Sequence, residues 1–180
     1  MTYWEAASWI ISIVLFDHYV CGWIRCTLNT ALPATVLGGY PETHGWLHIV
    51  DVVFGLALVA YSEEIVFRRC ARHLFQIYLN DGYALVVVTS LLFGAYHWWT
   101  GIGNIVEAVL MGVLLMLFYR RSAALWPVVL GYYLTDIVDF RLRWIIKMPD
   151  PKDDPNSSEW CPYIFRGRLQ TFGDHVLICR

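Results

Sequence analysis

The chain has 180 residues, of which 58% are hydrophobic and 16% charged, and its mean hydropathy is +0.49. These fractions exclude an ordinary soluble domain and favour a membrane protein, and the formal net charge of −2 provides no basic field for a nucleic acid partner. Because one crossing takes roughly 20 residues, we predict a single all-α, polytopic transmembrane helical bundle of about five to six membrane helices.

Apolar stretches follow one another along the sequence. The first, residues 3–24, lacks the positive start and the cleavage site of a signal peptide, so we expect it to remain as a helix. The prolines and paired glycines of residues 25–45 predict a loop or a short interfacial segment. The other predicted helices cover residues 46–61, 83–99, 104–119 and 123–140.

The composition changes after residue 148. Residues 149–180 begin with a run of Asp, Pro, Asn and Ser that is typical of a linker. We therefore predict a transmembrane domain over residues 1–148, followed by a polar linker and a short tail over residues 149–180.

Residues 63–68, Glu-Glu-Ile-Val-Phe-Arg, place two acids and a base at the end of the second stretch. A charged side chain at bilayer depth costs about 2.5–3.5 kcal/mol on insertion scales, so this group needs partners, water or a chemical role. In a helix Glu64 and Arg68 can pair at i,i+4, whereas Glu63 projects about 100° away. A poorly solvated Glu63 would be a usable general base toward water, but a charge cluster that merely ends a helix is equally compatible with the pattern.

His97 lies four residues after Phe93 in the third stretch. A histidine here could donate a hydrogen bond, carry a proton or bind a metal, or it could be a satisfied core histidine. Gly94 and Ala95 precede it, and small residues of this kind let a neighbouring backbone approach closely.

Tyr132 and Asp136 share a helix face in the fifth stretch. Because an acid facing lipid is costly, we expect Asp136 to point into the bundle, toward Arg68, His97 or a water pocket. A structural hydrogen bond between helices would explain the same residue.

The order of these groups resembles the CPBP intramembrane proteases, which include CAAX prenyl endopeptidases, bacteriocin-processing enzymes and Abi-like proteins. Residues 63–68 match the Glu-Glu-x-x-x-Arg motif of that family, and Phe93 with His97 matches Phe-x-x-x-His. The third motif, a His followed four residues later by Asn or Asp, corresponds to Tyr132 and Asp136, so Tyr replaces the histidine. The resemblance covers residues 51–140.

The resemblance implies an intramembrane endopeptidase in which Glu63, assisted by His97, activates water for attack on a peptide carbonyl. Tyr132 would steady the oxyanion through its hydroxyl, and Asp136 would act as a protonated donor or orient a neighbour or a water. It also implies a membrane-embedded or lipidated peptide substrate and a bacterial inner membrane location. The implied catalytic residues are Glu63, Glu64, Arg68, His97, Tyr132 and Asp136.

We expect no cofactor. A catalytic zinc normally takes three protein ligands plus water, and the best available set is Glu63, His97 and Asp136, so Zn²⁺ is the alternative to a metal-free mechanism. Two other functions stay open. One is a scaffold or immunity-type protein of the same fold with little or no activity, and the other is a transport component with an ion path through Glu63, Asp136 and Glu107.

Overall fold

The computed structural model describes residues 1–38, 43 and 45–145, and within these ranges the regular structure is entirely helical. The all-α prediction is therefore confirmed for this part of the chain, and the predicted linker and tail at 149–180 lie outside it. Short 3₁₀ turns at Pro33–Thr35 and Trp98–Thr100 lie between long helices. The long helices are α1 (Tyr3–Ala31), α2 (residues 46–79), α3 (Tyr83–Tyr96), α4 (Ile102–Ser122) and α5 (Trp126–Ile145).

Two of these helices, α1 and α4, are long and apolar enough to cross a membrane by length and composition, and α3 is a shorter apolar helix. At 1.5 Å per residue α2 extends over roughly 50 Å. A hydrocarbon core is only about 30 Å thick, so α2 is longer than one untilted crossing requires. The predicted number of membrane-spanning helices, about five to six, stays a prediction.

Helix boundaries differ from the predicted ones in two places. Residues 25–31 continue α1 instead of starting a loop, because the first helix-breaking residue is Pro33 and the Arg25 side chain forms ion pairs inside the bundle. The acidic motif does not end a helix either, since α2 continues through it to Leu79. The turn predicted at residues 80–82 is confirmed, and Asn80 adopts a positive φ of 54° there.

Close packing of α3 against α4 depends on glycine. A Cβ at Gly94 would clash with Val109 and lie 2.8 Å from the Ile105 carbonyl oxygen, and one at Gly112 would lie 3.0 Å from the Ser90 Cα. The predicted close approach at Gly94 is confirmed, whereas Ala95 is exposed. A buried apolar cluster then joins α1, α4 and α5 through Ile13, Cys21, Met111, Leu115, Phe118 and Val128.

Candidate functional site

The acidic motif lies where α2 changes its helical winding. Leu56–Glu64 is α-helical and Ile65–Ala71 is π-helical, so the wider turn begins directly after the two glutamates. Such π segments inside α-helices are frequent at functional sites, because they change the direction of side chains on one face. Here Glu64, Phe67 and Arg68 are buried and Glu63 is half-buried.

Glu64 and Arg68 form the predicted i,i+4 ion pair. Arg68 Nε lies 2.9 Å from Glu64 Oε2, and neither side chain has any solvent exposure. The Arg68 guanidinium also lies 4.9 Å from the centroid of the Phe93 ring. Removing either charge would leave the other buried and uncompensated, which is strongly destabilising.

Glu63 is hydrogen-bonded to α5. The Tyr132 hydroxyl donates to Glu63 Oε2 at 2.8 Å, and both side chains are half-buried. His97 and Arg68 lie close enough to act electrostatically on the Glu63 carboxylate. The structure thus joins Tyr132 to Glu63 by a hydrogen bond and places His97 within electrostatic range of the same carboxylate.

His97 lies at the end of α3 with a defined tautomer. Its Nδ1 is 2.9 Å from the Phe93 carbonyl oxygen. Since a carbonyl oxygen only accepts hydrogen bonds, Nδ1 must carry a proton, and Nε2 is the ring nitrogen that faces no backbone acceptor and can offer a lone pair in the neutral form. The ring also packs against Phe93 at 5.0 Å and stacks on Trp99 at 6.3 Å between centroids.

The Phe93 ring is the packing centre of the site. It is 1% exposed and contacts Phe67 of the first motif at 4.9 Å and Tyr132 of the third at 5.9 Å, centroid to centroid. Edge-to-face contacts of this kind stabilise one arrangement of the rings. Phe93 therefore fixes α2, α3 and α5 relative to one another around Glu63.

Asp136 is half-buried, one turn after Tyr132. It lies within electrostatic range of Glu63, and also of Glu107 and Asp139. Asp136 therefore lies among other acidic side chains.

The structure contains a second polar cluster that was not predicted from the sequence. Arg25 Nη1 donates to Glu107 Oε1 at 2.9 Å, and Arg25 Nη2 lies 2.7 Å from Asp139 Oδ2. The carboxylate oxygens of Asp17, Glu107 and Asp139 come within 4.8 Å of one another. The i,i+4 spacing of Asp17, Cys21 and Arg25 could have revealed this polar face, had residues 25–31 been assigned to the helix. Because Glu107 pairs with Arg25, it is poorly suited to an ion path.

Comparison with known proteins identifies a family for this chain. The family model described as type II CAAX prenyl endopeptidase Rce1-like matches residues 45–138, a range that contains all three motifs. No curated protein and no solved structure matches the chain. The match covers more than half of the sequence and confirms the family resemblance. The chain is a helical integral membrane protein and belongs to the type II CAAX prenyl endopeptidase Rce1-like family.

Proposed function

We propose that this protein is an intramembrane endopeptidase that hydrolyses a peptide bond of a membrane-embedded or lipidated substrate with water activated by Glu63. The observation that supports this proposal most strongly is the Tyr132 hydroxyl 2.8 Å from the Glu63 carboxylate, with His97 of a third helix within electrostatic range of that carboxylate. The neighbouring acid Glu64 is already paired with Arg68, so Glu63 is the acid with the capacity to act as a base.

The reaction is a general-base hydrolysis. Glu63 takes a proton from water while the water oxygen bonds to the scissile carbonyl carbon, whose oxygen becomes the oxyanion. When this intermediate collapses, the carbon–nitrogen bond breaks and Glu63 returns the proton to the leaving amine. The His97 Nε2 lone pair helps by accepting a hydrogen bond from the same water and orienting it.

Tyr132 and Asp136 are proposed to stabilise the oxyanion. In the resting site the Tyr132 hydroxyl donates to Glu63. Once Glu63 has taken the proton from water, its carboxyl group is a weaker acceptor for the Tyr132 hydroxyl. The hydroxyl then donates to the oxyanion, which forms in the same step. The proposed second donor is Asp136 in its protonated form, on the same helix face.

We further propose that the reaction needs no metal ion. A zinc at Glu63, His97 and Asp136 would compete with the Tyr132 hydrogen bond to Glu63 and would have a single imidazole ligand among its three protein ligands. Cleavage should therefore continue after treatment with a zinc chelator, with a zinc metalloprotease as the positive control for chelation. Loss of cleavage that added Zn²⁺ restores would overturn this part.

The proposed substrate class and location are supported by the family resemblance alone. Candidate substrates are a prenylated C-terminus, a leader or bacteriocin-type peptide and a membrane sorting tail, each presented from the bilayer. A bacterial inner membrane is the proposed location. A nucleic acid partner is not proposed, since the net charge is −2.

The test is processing of tagged substrates from these three classes by cells that produce the protein. Wild type should cleave at least one of them, and Glu63→Gln and His97→Ala should abolish that cleavage at unchanged protein level. Glu5→Gln and His18→Ala, which change an acid and a histidine outside the site, are matched controls and should cleave normally. Equal processing by wild type and Glu63→Gln would overturn the proposal in favour of a scaffold or immunity-type role.

A further inference from the structure

Arg25 of α1 joins three helices through its guanidinium group. Its Nη1 donates to Glu107 Oε1 of α4 at 2.9 Å, and its Nη2 lies 2.7 Å from Asp139 Oδ2 of α5. The side chains of Arg25, Glu107 and Asp139 are 21%, 11% and 17% exposed, so both ion pairs are largely shielded from solvent. Because a guanidinium holds its donors in a rigid planar fork, it sets the spacing between the two acceptors and hence between their helices.

The backbone of α1 at Arg25 is itself packed tightly on α4. A Cβ at Gly103 would clash with the Arg25 carbonyl oxygen and lie 2.9 Å from the Arg25 Cα. The Gly103 amide donates to Asn29 Oδ1 at 2.8 Å, and Asn29 Nδ2 donates to Asn104 Oδ1 at 2.8 Å. Arg25 thus extends from a junction that backbone packing and hydrogen bonds hold in place. The ion pair to Asp139 therefore positions α5 against α1 and α4.

Asp139 shares a helix face with the two residues proposed to stabilise the oxyanion. It lies three residues after Asp136 and seven after Tyr132, which places it within about 20° of Tyr132 around the helix and about 10 Å further along it. A rotation or axial shift of α5 at Asp139 is therefore passed on to Tyr132. The Tyr132 hydroxyl lies 2.8 Å from Glu63 Oε2, and such bonds extend only to about 3.0 Å, so a small displacement breaks this one.

From these contacts we infer that Arg25 and Asp139 are positioning residues, whose ion pair fixes α5 so that the Tyr132 hydroxyl lies at Glu63. The catalytic part of this role rests on the proposed function. The effect reaches the site through two turns of α5, since Asp139 is about 10 Å along the helix from Tyr132.

The first experiment compares kcat and KM of purified full-length variants in proteoliposomes, for a substrate that the wild type cleaves. Asp139→Ala leaves Arg25 paired with Glu107, so the variant should fold. Its kcat should fall about 10-fold to 100-fold, because a misplacement of about 1 Å can cost the larger factor. KM should change by less than about twofold, since the ion pair positions a group that acts in the transition state. A wild-type kcat in Asp139→Ala would overturn the inference.

Asp139→Asn tests whether position or charge is responsible. The amide oxygen of Asn can still accept from the charged guanidinium, so kcat should stay within about threefold of wild type. Equal losses of kcat in Asp139→Asn and Asp139→Ala would contradict a positioning role.

The second experiment tests the link between Asp139 and Tyr132 without a substrate. Tyr132→Phe removes the hydrogen bond to Glu63 and should lower the midpoint of thermal unfolding. In an Asp139→Ala background the same change should lower the midpoint by less than about half as much, because the bond is already weakened. Side chains that neither touch nor share a partner normally act additively, so a purely local ion pair predicts equal shifts in the two backgrounds. Equal shifts would overturn the inference.

Glu5→Ala is the matched control for this comparison. Glu5 of α1 also pairs with an arginine of another helix, Arg121 of α4, but neither residue is part of α5. Tyr132→Phe should therefore shift the midpoint equally in Glu5→Ala and in wild type, and a reduced shift in Glu5→Ala would contradict a specific link through Asp139. Because this comparison measures unfolding alone, additive shifts would overturn the positioning role, whereas a wild type that cleaves no substrate would overturn the proposed function.

Discussion

The Tyr132 hydroxyl lies 2.8 Å from Glu63 Oε2 and donates a hydrogen bond to it, which connects α5 to the acidic motif of α2. Tyr132 is thus a donor that reaches the proposed base directly. Its contribution can be tested separately from that of the base itself.

Tyr132→Phe removes this donor and keeps the ring that packs on Phe93. If the hydroxyl serves the oxyanion, kcat should fall by about 100-fold to 1,000-fold, as for the loss of one oxyanion donor. The measurement is the cleavage rate of a processed substrate at saturation. Tyr133→Phe is the control, because the Tyr133 hydroxyl donates to the Val53 carbonyl at 3.0 Å, away from Glu63. A Tyr132→Phe enzyme with the wild-type kcat would contradict this role.

Glu64→Gln breaks the fully buried ion pair with Arg68 and leaves the guanidinium charge uncompensated. The free energy of unfolding should fall by about 3–5 kcal/mol, which is measurable as a lower midpoint of thermal unfolding in detergent. Replacing both partners by apolar residues, Glu64→Leu with Arg68→Met, should recover part of that loss. In contrast, Glu5→Gln breaks the exposed pair with Arg121 and should cost less than about 1 kcal/mol. Equal midpoints for Glu64→Gln and Glu5→Gln would show that the buried pair does not stabilise the fold.

Gly94→Ala tests the contact between α3 and α4. The added Cβ would lie 2.8 Å from the Ile105 carbonyl oxygen, so the helices must separate, at an expected cost of about 1–3 kcal/mol. Gly131→Ala is the matched control, because its Cβ would meet Ile10 at 3.7 Å, an ordinary contact. Thermal unfolding should therefore shift downward for Gly94→Ala only, and a similar shift in both variants would argue against close packing at Gly94.

Asp81 gives the fold a pH-dependent contact at the turn after α2. The hydrogen bond from Arg72 and the positive charges of Arg72 and Arg120 lower the pKa of Asp81 below its usual value. A carboxyl group whose pKa is lower in the folded state stabilises the fold above its unfolded pKa, near 3.9, and the contribution is lost as the pH falls through the folded value. Because the side chain is 38% exposed, the contribution should stay below about 1 kcal/mol.

Asp81→Asn should therefore lower the unfolding midpoint at pH 7 by no more than about 2–4 °C. The difference from wild type should shrink as the pH is lowered below about 4 and disappear once the folded Asp81 is protonated. Thermal unfolding of both proteins across this pH range is the measurement. A difference that grows with acidification would have the wrong sign for this contact.

Much of the helical framework could be predicted from the sequence, because apolar runs and breakers mark helices directly. Pro33 and the turn at residues 80–82 do end helices, and the Glu64–Arg68 spacing predicts the pair that forms. The predicted end of the first helix before Arg25 was wrong, because an arginine after an apolar run is typical of the end of a membrane span. Its partners Glu107 and Asp139 are distant in sequence, and local patterns do not reveal them.

The site itself was only partly predictable. Motif order indicated that Glu63, His97 and Tyr132 belong together, but spacing along one helix cannot show which atoms meet across three helices. The Tyr132–Glu63 hydrogen bond depends on how α5 packs against α2, and the His97 tautomer depends on the local end of α3 at Phe93. The π-helical winding of Ile65–Ala71 was likewise not visible in the sequence.

The most direct test of the central claim is the single-turnover cleavage rate of purified protein in proteoliposomes that contain a labelled membrane peptide. Glu63→Gln should be at least about 100-fold slower than wild type, the lower bound for losing a general base, with an unchanged midpoint of thermal unfolding. A Glu63→Gln protein that cleaves the peptide at the wild-type rate would contradict the assignment of Glu63 as the residue that activates water.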